Sequence, residues 1–65
     1  MSIGTNIKHE RIRQNLTQSA LASMVGISQP RLSMIESGNA PMRSARTLAV
    51  IAKILQTNIG TLYDD

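Results

Sequence analysis

The side chains in this sequence that could do chemistry are few and of restricted type. Cysteine is absent, which removes disulfides, thiolate metal sites and a thiol nucleophile together. His9 has no neighbour that would make it a metal ligand or a general base, and two of the four acids, Asp64 and Asp65, stand at the end of the chain. With no paired carboxylates elsewhere and no nucleophile beside a base, the sequence argues against an enzyme. It offers no metal site, no cofactor motif and no sign of a small-molecule ligand. What remains is hydrogen-bonding and cationic chemistry. Gln29, Pro30, Arg31, Ser33, Met34 and Ser37 form a mostly polar set suited to contacting something outside the fold. Seven Lys and Arg against four Asp and Glu give a net charge of +3. Because Asp64 and Asp65 hold two of those four acids, residues 1–63 carry +5, a basic excess compatible with nucleic acid.

The elements that must position this set are two short amphipathic helices between Gln18 and Glu36. Leu21, Val25, Ile27, Leu32 and Ile35 are spaced to share one buried face, and Ala22 leaves room for the second helix to approach. Thr17 stands where an N-cap belongs, and the first of the pair is expected from Gln18 to about Met24. Gly26 supplies the positive φ of the turn. Ser28 is a second N-cap, and Pro30 falls in the first helical turn, where a missing N–H is harmless. This helix is expected to end near Ser37, with Gly38 as its stop.

The rest of the chain reads as scaffold. A helix from Ile3 to Gln14 carries Ile3 and Ile7, then Ile12 and Leu16, and its stripe is interrupted by Arg11. A helix capped by Ser44 runs from Ala45 to Leu55, with Leu48, Ile51, Ala52 and Leu55 at i, i+3, i+4, i+7. A last short helix, Ile59 to Tyr63, is weakened by Gly60. With one aromatic residue, the core must be built from Ile, Leu, Val, Ala and Met. These 65 residues make a single all-α domain of five helices, with modest stability of a few kcal/mol at most. No apolar run approaches the ~18 residues of a membrane span, no signal-peptide core is present, and the expected location is the cytoplasm.

Leu16-Thr17-Gln18, Leu21-Ala22, Gly26-Ile27-Ser28, Ile35-Glu36 and Gly38 together resemble the helix-turn-helix of the Cro/phage-repressor (XRE) family of DNA-binding proteins. The resemblance extends to Ile3-Gly4 and Arg11 upstream and to Leu48, Ala52 and Leu55 downstream, covering almost the whole of 1–65, with the motif at about 17–37. It implies a lambda-repressor-like fold and a sequence-specific transcriptional regulator, most simply a repressor, acting on double-stranded DNA. The helix at 28–37 would enter the major groove, about 12 Å wide, while the one before it crosses the backbone.

By that resemblance Gln29, Pro30, Ser33 and Met34 face the bases. Gln18 and Thr17 meet a phosphate at a helix N-terminus, with Gln18 also bracing Gln29. Asn15, Asn39, Arg43 and Arg46 are further backbone contacts, and Arg31 reaches either a phosphate or guanine. Arg11 and Glu36 would form a partly buried ion pair; the alternative leaves Arg11 a surface side chain with a buried stem. Such a domain reads about four or five base pairs, which implies a weak homodimer completed on a palindromic operator. Leu62 and Tyr63 are the interface candidates, unless they close the core instead. The alternative function is a protein-interaction module or an antitoxin-type regulator whose main partner is a protein.

Overall fold

The computed structural model describes residues 3–38 and 45–58, together with Gly60 and Leu62. Four α-helices lie in those segments: α1 (Ile3–Arg13), α2 (Gln18–Val25), α3 (Gln29–Ser37) and α4 (Ala45–Ile54). The described residues contain no strand. The expected fifth helix falls mostly outside the described residues, although Leu62 is fully buried. The expected cap at Ser44 lies outside them too.

Local chemistry sets the helix ends. Thr17 (φ −77°, ψ 160°) caps α2, its hydroxyl oxygen accepting from the Ala20 N–H, and Ser28 (φ −73°, ψ 154°) caps α3 by accepting from the Arg31 N–H. Gly26 (φ 88°) and Gly38 (φ 83°) end α2 and α3 in the left-handed region. α1 and α4 finish the same way without glycine. Asn15 (φ 60°) and Gln56 (φ 56°) take the left-handed position, and the next N–H, of Leu16 or Thr57, reaches back to the carbonyl of Arg11 or Ala52. For that reason α1 stops at Arg13 and α4 at Ile54, each one residue short of the expected end.

The core gathers Ile7 from α1, Leu21 and Ala22 from α2, Leu32 and Ile35 from α3, Leu48, Ile51 and Ala52 from α4, and Leu55 and Leu62 beyond it. Ile7, Leu21, Leu32, Ile51, Leu55 and Leu62 are fully buried, each contributing ~1.5–3 kcal/mol relative to exposure. Ile12 does not belong to this core. It is 52% exposed, because the buried face of α1 runs through Gly4, Ile7 and Arg11 and Ile12 lies a further 100° around the helix.

α3 packs against both α1 and α2, so its position decides the domain. A Cβ on Gly4 would lie 2.2 Å from the Ile35 carbonyl oxygen and 2.9 Å from that of Glu36. Only glycine lets α1 pass this close to the end of α3. At the other side of α1 the buried Asn6 amide donates to the Leu62 carbonyl at 2.7 Å, and Gln14 donates to the Leu55 carbonyl. These bonds tie the two ends of the described chain together.

Candidate nucleic-acid interface

The outer side of α3 presents its polar set to solvent. Gln29, Pro30 and Arg31 are exposed in the first turn, Ser33 is half-buried, and Met34 is 46% exposed. On the inner side of the same helix Leu32, Ile35 and Glu36 are buried. A nine-residue helix with its last turn anchored and its first turns outward projects a short row of side chains from a fixed base.

That base is polar. Arg11 Nε donates to Glu36 Oε2 at 2.8 Å and Nη2 donates to Oε1 at 3.1 Å, a two-pronged pair with both side chains almost out of solvent. Arg11 Nη1 donates to the Leu16 carbonyl at 2.8 Å, holding the α1–α2 connection. Glu36 Oε1 also accepts from Gln18 Nε2 at 3.1 Å, and Gln18 Oε1 accepts from Gln29 Nε2 at 2.7 Å. A continuous hydrogen-bonded line thus runs from buried Arg11 through Glu36 and Gln18 to exposed Gln29. Among the described residues no buried side-chain nitrogen or oxygen lacks a partner.

The flanking candidates differ in what the structure describes of them. Thr17 is exposed, and since its oxygen serves the cap, its O–H proton remains free to donate outward. Asn15 is exposed in the left-handed connection before α2, and Arg46 is exposed in the first turn of α4. Asn39, Arg43 and Tyr63 lie outside the described residues. Leu62 must be reassigned. Its side chain is completely buried in the chain's own core, which leaves it nothing to offer a partner surface.

Two residues that matter for this site carry no role in the sequence reading, Gly4 and Asn6. The signal for Gly4 was present: glycine inside a helix costs about 1 kcal/mol relative to alanine, so its place there calls for a packing reason. Asn6 carried no such signal, because its partner is a backbone carbonyl 56 residues away. The described residues contain no group of acids and histidines that could hold a metal ion and no helix long and apolar enough to cross a membrane.

Two crossed helices joined at a left-handed glycine, the second with a buried foot and a polar outer row, define a helix-turn-helix domain. The profile of the HTH_3 helix-turn-helix family matches residues 7–62, and the chain belongs to that family, the Cro/C1-type DNA-binding transcription regulators. It is similar to SinR, the master regulator for biofilm formation, whose crystal structure was solved in complex with DNA. The two share 31% identity over 95% of this chain and 98% of that one, with a TM-score of 0.88. The DNA-binding domain of the P22 C2 repressor is 27% identical over 95% of this chain and 80% of that one, also with a TM-score of 0.88. Hydroxypropylphosphonic acid epoxidase from S. wedmorenis matches at 27% identity and a TM-score of 0.88, but the chain covers only 32% of that enzyme. No curated protein sequence matches the chain.

Proposed function

We propose that this chain is a sequence-specific regulator of transcription that binds duplex DNA through α3 and acts as a repressor. The observation that carries the reading is the outward row Gln29, Pro30, Ser33 and Met34 on a helix whose last turn is anchored by the Arg11–Glu36 pair. An α-helix fills the major groove, and a row of this kind then lies against base edges. Gln29 gives one N–H to Gln18 and keeps its carbonyl oxygen, which can accept from adenine N6, and its second N–H, which can donate to adenine N7, a pair worth ~1–3 kcal/mol of discrimination. Pro30 and Met34 lack donors and suit thymine methyl groups. Gln18, Thr17, Asn15, Arg46, Asn39 and Arg43 are the proposed phosphate contacts, while exposed Arg31 reaches a phosphate or guanine. Likeness to SinR and to the P22 C2 DNA-binding domain supports the same reading.

One such helix covers about four or five base pairs, so the regulator acts as a weak twofold dimer on half-sites ~34 Å apart. With Leu62 enclosed in the core, Tyr63 is the interface candidate that remains of the pair.

Selection from a random duplex pool tests the proposal. A palindromic consensus is expected, with Gln29→Ala relaxing a single base pair per half-site. Arg46→Ala should weaken all sequences alike and reduce the slope of log K against log salt by about one. No enrichment by the wild-type protein would overturn the DNA reading in favour of a protein-binding role for the same face.

A further inference from the structure

We infer that Glu36, a residue with no access to the groove, decides which purine Gln29 reads. The inference rests on the proposed DNA binding and deepens it by naming a positioning residue for base choice.

Donor and acceptor polarity along the hydrogen-bonded line sets what Gln29 presents. Both oxygens of the Glu36 carboxylate accept from the Arg11 guanidinium, and a carboxylate can only accept. Its Oε1 therefore requires the amide nitrogen of Gln18, and the contact is Gln18 Nε2 to Glu36 Oε1 at 3.1 Å. That choice turns the Gln18 oxygen outward. The oxygen in turn requires a donor from Gln29, whose Nε2 lies 2.7 Å away. Gln29 is then left with one acceptor and one N–H for the groove. Adenine offers a donor at N6 and an acceptor at N7, whereas guanine offers acceptors at both O6 and N7.

Reversal of the relay would give the other outcome. With the Gln18 amide turned round, its nitrogen would face Gln29, the Gln29 oxygen would accept from it, and Gln29 would present two N–H groups that suit guanine. The buried charge at 36 excludes this state, since it would set the Gln18 oxygen against a carboxylate oxygen. An amide at 36 can donate or accept and removes the bias. Arg11 contributes by fixing both carboxylate oxygens in place.

Selections from one random duplex pool by the wild-type protein, Gln29→Ala, Glu36→Gln and Gln18→Met test the inference. Gln29→Ala locates the base pair that Gln29 reads. At that position the wild type should prefer adenine to guanine by about tenfold or more. Glu36→Gln should bring the two purines to near parity there while leaving the other positions of the consensus unchanged. If Glu36→Gln does not fold, Gln18→Met decides alone, because it leaves the Arg11–Glu36 pair in place and cuts the relay. Its weaker phosphate binding affects all sequences equally and cancels in the adenine-to-guanine ratio. An undiminished adenine preference in the folded variants, or a wild-type preference for guanine at this position, would overturn the inference. Absence of any wild-type consensus would instead overturn the DNA reading beneath it.

Discussion

Arg11 and Arg13 stand two residues apart on α1, each with a guanidinium at hydrogen-bond distance from a glutamate: 2.8 Å to Glu36 for the first, 2.7 Å to Glu10 for the second. The side chains of the first pair are 10% and 2% exposed, and those of the second 69% and 21%. Glu36 closes α3 from 25 residues away, whereas Glu10 lies one turn back on the same helix. The hydrogen bond and the attraction from Glu10 raise the pKa of Arg13 above its usual value, yet an arginine is charged at any physiological pH, so the shift changes nothing in function. Contact distance therefore does not rank the two pairs. Burial and sequence separation do, because the inner pair joins two helices in a place where neither charge could find water.

The largest effect expected from this contrast is that of Glu36→Ala, which strands the Arg11 charge in the interior. A loss of ~3–5 kcal/mol would take most of the stability of so small a domain and should be plain in urea or thermal melts. A midpoint near that of the wild type would place the inner pair with the outer one. Replacing both partners by apolar residues, Arg11→Met with Glu36→Leu, should sharpen the point. Melts at or above the wild-type midpoint are expected, since paired burial of charge brings little net stability, while the purine discrimination assigned to Gln29 is lost. Persistent instability of the double variant would show that the pair itself, and not the stranded charge, carries the energy.

Gly4→Ala comes next. Its methyl group would press on the backbone of Ile35 and Glu36, where no side chain can swing away, and should cost ~1–3 kcal/mol as α1 is pushed from α3. Wild-type melting of this variant would mean that the close approach is not needed to seat the inner pair. Arg13→Ala should have the smallest effect. Its midpoint should match the wild type's, and 1 M salt should leave that agreement unchanged, because water and ions already screen the outer pair. A salt-dependent loss of stability would give the surface pair a weight that its exposure denies it.

Much of the site was legible residue by residue wherever the cause is local. Thr17 and Ser28 cap the helices, Gly26 turns the chain and Pro30 fits a first turn for reasons contained within a few neighbouring residues. The apolar period of α4 was equally direct, with Leu48, Ile51, Ala52 and Leu55 all buried. Gln56 escaped because nothing in its side chain favours the left-handed conformation it adopts, whereas asparagine, as at Asn15, takes that conformation more readily. Ile12 misled for a related reason. Its spacing from Leu16 suits a stripe, but which 100° of a helix is covered depends on the helices packed against it.

The sequence by itself determined that the chain is helical, where two helices cross, which face of the second turns outward, and that the outward chemistry is hydrogen bonding and positive charge. Those properties follow from periodicity and from short-range hydrogen bonds, which a linear string records. Only the tertiary structure decided that Gly4 must be glycine, that Leu62 serves the core, and that a Gln18–Glu36 hydrogen bond joins the expected Arg11–Glu36 pair and Gln18–Gln29 contact in a single directional line. Each of these rests on distances across the fold of about 3 Å or less between groups 11 to 56 residues apart, which no local pattern encodes.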